Sequence, residues 1–389
     1  MITASRLFRC ALMVGVLSAC AFSLHAQQVR TPSPATTPVT APATGAGAGP
    51  AGSSAAPGQV SRPAQPGAKP AVATQSSSAP APLSRKGAPV FVLNSLDGNV
   101  SVIDPATWTE TKRIPTGREP HHLYLTPDEK SVIIANAGAD SLTFIDPRTG
   151  EEQRTIRGIL DPYHLRFSPD MKWFVTAANR LNHVDIYRWD GTNPTLVKRI
   201  PTSRTPSHLW IDSRSKTIWA SMQDSDELVV IDIATQTLTS RVKTGPMPAD
   251  VYVTPDDKTL LLGLTGSDGV EVYDVAGGKA PVLVRKIPTG KGAHAFRSAG
   301  DGKHVYVSNR VANSISRINY QTLAVDATFP APSGPDCMDI SSDGKLIMVG
   351  SRWAKKLTII DVASQKVIRQ IPVGKSPHGV WTLDHVARH

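Results

Sequence analysis

NVSVIDPAT (99–107), SLTFIDPRT (141–149), HVDIYRWDG (183–191), ELVVIDIAT (227–235), GVEVYDVAG (269–277), SISRINYQT (314–322) and KLTIIDVAS (356–364) are seven versions of one stretch. The residues closing their apolar runs are Asp104, Asp146, Arg188, Asp232, Asp274, Asn319 and Asp361, at steps of 42, 42, 44, 42, 45 and 42 residues. A steady period of this length marks a repeat architecture. Each unit holds four short alternating runs broken by Gly, Pro and Asp; in the first full unit they are HLYLT, VIIAN, LTFID and the run ending at Ile156. Period-two alternation of β-branched residues between turn signals reads as strand. Four strands per unit predict an all-β protein, a seven-bladed β-propeller. The recurring Asp is expected to close an Asx turn into the fourth strand, a structural role without chemistry.

The ends of the repeat suggest how the ring shuts. The first unit opens on a second-type strand, VFVLN from Val90, and the chain finishes on a lone first-type strand, HGVWTL. Three N-terminal strands and one C-terminal strand would complete a single blade and remove the open sheet edges.

Three segments follow from composition: an export signal over 1–26, a disordered Ala/Pro/Gly/Ser-rich linker over 27–88, and the propeller over 89–389. The signal combines Arg6 and Arg9 with the apolar run from Cys10 to Cys20. Cleavage after Ala26 would free a soluble protein. Alternatively, Leu17-Ser18-Ala19-Cys20 matches a lipobox, which would end the signal at 19 and lipidate Cys20. Both readings export the protein to the periplasm or beyond, the second as an outer-membrane-tethered lipoprotein whose only membrane contact is its anchor. The linker has too few large apolar side chains to offset its ordering entropy. Of the formal charge of +10, most lies in these two segments: residues 89–389 carry 35 Lys/Arg against 32 Asp/Glu. A nearly neutral folded part argues against nucleic acid as partner. Cys337 is the sole thiol beyond the signal, so no internal disulfide supports the propeller.

A second register lies at the head of each first strand: Pro120, Pro162, Pro206, Pro248, Ala293, Pro335 and Pro377. The first place after it holds His121, Tyr163, Ser207, Ala249, His294, Asp336 and His378; the second holds His122, His164, His208, Asp250, Ala295, Cys337 and Gly379. Six of the chain's eleven histidines fall on these fourteen positions, where random placement in 389 residues would put about 0.4. Innermost strands surround the axis of a propeller, so these side chains are expected at one mouth of its channel. The third place is apolar in every unit and should pack between blades. The fourth holds Tyr124, Arg166, Trp210, Tyr252, Arg297, Asp339 and Trp381, expected on the same side as the second.

The run VSVIDPATWTETKRIPTGREPHHLYLTPDEKSVIIAN (100–136), with IPTG at 287–290, IPVG at 371–374 and TPDDK at 254–258, resembles the YVTN family of propeller repeat proteins over roughly residues 89–384. More distantly, the chain is similar to the haem-binding propeller of cytochrome nitrite reductase and its haem-assembly proteins. The resemblance implies the fold and leaves the function open, since related propellers serve as surface-layer proteins, cofactor proteins, enzymes and scaffolds. YVTN repeats commonly carry glycine at the second place, as Gly379 does here; the other blades depart from that.

Three functional expectations compete. In the first, His121, His122, His164, His208, His294, His378, Asp250 and Cys337 hold a transition metal (copper, iron or zinc) or a haem-type tetrapyrrole. Tyr124, Trp210, Tyr252 and Trp381 would then flank the macrocycle and Arg166 or Arg297 pair its carboxylates. In the second, the protein is a non-enzymatic scaffold for an envelope protein partner. In the third, channel His and Arg act on a small anionic substrate, although no nucleophile elbow, HExxH or CxxC names a reaction. His183 sits where it could join the mouth, whereas His304, His385 and His389 read as surface residues.

Overall fold

The computed structural model describes residues 85–388. The export signal, Cys20, the linker up to residue 84 and His389 lie outside the described residues. Within them, 28 strands form seven four-stranded antiparallel sheets. Blades 1 to 6 take residues 120–157, 162–201, 206–243, 248–288, 293–330 and 335–372, each running from inner to outer strand in chain order. Blade 7 is the composite expected from sequence: its inner strand Pro377–Thr382 pairs with Val90–Asn94, which is followed by Asn99–Asp104 and Thr109–Pro115. The chain's two ends therefore meet in one sheet. Gly87 and Ala88, the last residues assigned to the linker, already bond to it: Gly87 N–H donates to Asp384 Oδ2 at 2.9 Å and the Thr382 hydroxyl donates to the Ala88 carbonyl at 3.2 Å.

Sequence alternation explains the core. Third-place residues such as Leu165, Leu209 and Val251 are fully buried. One apolar cluster joins Ile133, Ala135 and Phe144 of blade 1 to Leu165, Phe167 and Phe174 of blade 2; another spans blades 3 to 5 through Trp219, Leu262 and Val307. Each such side chain contributes on the order of 2 kcal/mol of burial, and because the clusters lie between blades, each blade relies on its neighbours for its core. Outer strands are mostly exposed and carry charge, as in Thr109–Pro115 and Val282–Pro288, which discourages pairing with foreign strands. The Asx turns form as expected: Asp104 Oδ1 accepts Ala106 N–H at 2.8 Å, Asp146 accepts Arg148 N–H at 2.7 Å, and Asn319 accepts Gln321 N–H at 2.9 Å.

One feature was not legible. Every inner strand carries a register shift at its head, as between Pro206↔Met222 and Leu209↔Ala220, where two residues face one across the ladder. The same irregularity recurs in all seven blades. Such bulges break strict alternation and re-aim side chains.

Candidate functional site

The bulges have a direct chemical result, because first-place and second-place side chains both reach the axis. The His122 ring lies 4.6 Å from that of His164, 4.8 Å from His208 and 4.8 Å from His378. His164 and His208 are 4.9 Å apart, and His294 stands 5.6 Å from His208. His121 packs on His378 and on Tyr163, both at 4.5 Å. Three sets of ligand atoms converge to within 4.8 Å: His122, His164 and His208; His122, Cys337 and His378; and His294, Asp336 and His378.

Burial sets the electrostatics. Desolvation lowers the pKa of His122 to about 3 and of His294 to about 4, and drives His121, His164, His208 and His378 well below the ordinary value. All are neutral at pH 7, the form that ligates metal. The His378 tautomer is fixed: Nδ1 lies 2.9 Å from the His121 carbonyl, which can only accept, so Nε2 keeps its lone pair. Gly379 permits this approach, since a Cβ there would sit 2.9 Å from the same carbonyl oxygen.

The candidate ligands other than histidine are engaged. Asp336 accepts from Arg310 at 2.9 Å and Arg352 at 3.0 Å, and His294 Nε2 lies 3.1 Å from it but off the line of a hydrogen bond. Burial opposes its ionisation, yet Arg310 foremost, then His378 and His294, hold its carboxyl well below the usual range. Cys337 Sγ is 3.7 Å from His378 Nδ1, but burial pushes its thiol up, away from thiolate. Asp250 stands apart from all three sets: its carboxylate accepts Val251 N–H and Phe296 N–H, each at 2.8 Å, and burial raises it to about 6. In contrast, His122 Nε2, His164 Nδ1 and His208 Nε2 are buried without any hydrogen-bond partner, as are His121 Nδ1, His294 Nε2 and His378 Nε2; only the first three form an all-histidine set.

Arg310 and Arg352 were not anticipated. They stand just after the second strand of blades 5 and 6, at the register that holds Ser95, Ala137, Asn179, Gln223 and Thr265 elsewhere. There Ser95 and Asn179 reach the carbonyls of Pro120 and Pro206 in the next inner strand, at 2.7 and 3.2 Å. Repeat alignment at that register would have disclosed them. Of the remaining histidines, His183 is buried at the start of its third strand, 3.4 Å from Asp185, and stays out of the mouth. His304 is paired with Asp301 and Asp326. His385, expected at the surface, is instead largely buried against Trp381, with its pKa lowered to about 4 by desolvation.

The fourth-place residues form a layer beneath the histidines, and much of their capacity is used internally. Arg297 donates to Asp339 at 2.7 Å and to the Val386 carbonyl at 3.2 Å, so it has a partner already and is not available for a macrocycle's carboxylates. Arg166 lies 3.8 Å over the Trp210 ring and donates to the Leu209 carbonyl at 3.0 Å. Tyr124, Arg166 and Trp381 line a cavity of about 330 Å³ with Thr126, Ser168 and Ile211, near the far ends of the inner strands. A shallower cavity of about 610 Å³ on the histidine face is lined by Asp97, Arg118, Glu119, Asp161 and Arg180, and by no histidine.

With this geometry in place, comparison with known proteins assigns the chain. The profile of the YNCE-like beta-propeller family matches residues 61–388. The chain belongs to the YNCE-like beta-propeller family. The repeat resemblance read from sequence therefore holds. No curated protein matches the sequence. Among solved structures, the Pseudomonas aeruginosa periplasmic gluconolactonase PpgL superposes with a TM-score of 0.65 at 17% identity, covering 77% of this chain and 99% of its own. Dihydro-heme d1 dehydrogenase NirN, solved in complex with DHE, gives 0.59 at 16%, covering 77% and 76%. Kuenenia stuttgartiensis hydrazine synthase gives 0.56 at 20%, covering 67% and 88%. At these identities the likeness establishes the fold alone. No helix among the described residues is long and apolar enough to cross a membrane.

Proposed function

We propose that this YNCE-like propeller is an exported binding protein that holds one transition-metal ion at the head of its channel, through His122, His164 and His208. The observation that carries this is the trio of unpartnered buried nitrogens, each on a neutral ring, with ligand atoms within 4.8 Å of one another. A buried polar atom left without a partner costs roughly 1–3 kcal/mol, and three at one point are accounted for together if a cation sits between them. Three imidazoles with a fourth position open suit zinc or copper. Tetrahedral zinc with bonds of about 2.05 Å would need its nitrogens roughly 3.4 Å apart, so the rings must draw in on loading.

The same packing favours a bare ion over a tetrapyrrole. The rings approach one another to between 4.5 and 6.3 Å, leaving no slot for a macrocycle between them. Export rests on the signal-like N-terminus, and one structural neighbour, PpgL, is a periplasmic protein.

The test is metal analysis of purified protein, before and after reconstitution with Zn²⁺ or Cu²⁺, beside His122→Ala, His164→Ala and His208→Ala. Near-stoichiometric metal in the parent, lost in each variant without loss of fold, is the expected result. Folded protein that takes up no metal, or variants that retain it, would leave the scaffold reading in its place.

A further inference from the structure

The sequence placed histidines and arginines in one site, whereas the fold separates them. Beneath the imidazole cluster, Arg166 lines the cavity of about 330 Å³ near the opposite mouth. The arginines around it are spoken for: Arg85 pairs with Glu129, and Arg388 and Arg297 share Asp339. Arg166 differs. Among the described residues, no carboxylate lies within ion-pairing distance of it; its Nε donates to the Leu209 carbonyl, its plane rests on Trp210, and its only other polar neighbour is the Tyr124 hydroxyl. Burial lowers its pKa, opposed only by Tyr124 and by Asp250, whose carboxylate is spent on backbone N–H groups. Arg166 is half-buried, and a cation drawn even partly out of water ordinarily has an anionic partner, because leaving it unpaired is costly.

We propose that this cavity is a second binding site, distinct from the histidine mouth, for a small organic monocarboxylate with an apolar or aromatic body. One uncompensated guanidinium calls for one negative charge. With Nε engaged, the Nη edge, beside the Tyr124 hydroxyl, is left to grip a carboxylate end-on, and stacking on Trp210 fixes the plane of that fork. Tyr124, Phe167 and Trp381 supply aromatic wall, and Leu125, Met171 and Ile211 aliphatic wall, for the rest of the molecule. The volume lies at the small end of ligand pockets, so a single ring with a short acid arm is the scale of molecule that fits.

The test uses benzoate and its neutral isostere benzamide on the full-length protein stripped of metal with EDTA, read by calorimetry and by tryptophan fluorescence. Benzoate is expected to bind saturably and benzamide at least about tenfold more weakly. Arg166→Met should abolish the difference, and Arg166→Lys should keep part of it. The His122→Ala/His164→Ala/His208→Ala protein should bind benzoate as the parent does, so this site stands or falls independently of the metal site. Equal affinity for the two probes would overturn the proposal, as would no binding by either up to about 10 mM, well above ordinary ligand affinities. The comparison of probes needs only the parent protein, so a poorly folded Arg166 variant leaves the test intact.

Discussion

At the scale of single residues, the channel head is decided by which polar atoms have partners. Asp336 was visible in sequence as part of the ring, but nothing in its neighbours along the chain announced that Arg310 and Arg352 would neutralise it. His121 and His122 are adjacent yet differ in role. His122 supplies a nitrogen to the triad, whereas His121 covers it and lends its carbonyl to His378. Gly379 is tied to that link. Gly379→Ala should cost about 1–3 kcal/mol, because its Cβ meets backbone that cannot yield cheaply; a lowered midpoint in thermal unfolding checks this, and an unchanged one contradicts it. Burial also sets a pH dependence for the metal-free protein. His122 and His294 have folded pKa values of about 3 and 4, below the ordinary value near 6.5, so the unfolded chain takes up protons first. Stability is then intact above about pH 6.5 and falls as pH drops toward 4, each residue contributing a loss on the order of 2 kcal/mol at pH 5. Denaturant unfolding at pH 7.5 and 5 should show this loss in the metal-free parent and less of it in His294→Ala.

At the scale of strands, period-two alternation identified the seven blades and assigned the third-place residues to the space between them. It does not by itself explain why first-place and second-place side chains reach the same mouth, as expected; the bulges do. Strict alternation sends the first place away from the second, yet His294, Asp336 and His378 share the axis with His122, His164 and His208. An extra residue in a ladder leaves no mark in hydrophobic pattern, so only the recurrence of proline just before it hinted at irregular backbone. His385 was misjudged for a related reason. The tail after Thr382 folds back, with His385 bridging to Ser341 and Val386 N–H donating to the Ile340 carbonyl at 3.2 Å, and a tail of mixed composition carries no periodicity to reveal that.

At the scale of the whole molecule, closure by strands from both ends makes the ring one cooperative unit. The inner strand of blade 7 supplies Trp381 to the core, His378 to the mouth and a hydrogen-bonded partner to Val90–Asn94. Truncation before Pro377 should therefore do more than remove one strand. It should expose an edge and yield aggregated or molten material by size exclusion and circular dichroism; a monomer that melts like the parent would contradict the closure argument. The ring also explains why the convergence of histidines could be anticipated at all: seven copies of one register bring neighbourhoods far apart in sequence to a single axis. The most direct measurement of that convergence is anomalous scattering from crystals of the zinc-reconstituted protein. The account requires one dominant peak on the propeller axis, about 2.1 Å from a nitrogen of each of His122, His164 and His208. Zinc found only at surface residues, with those three nitrogens still unligated, would contradict it.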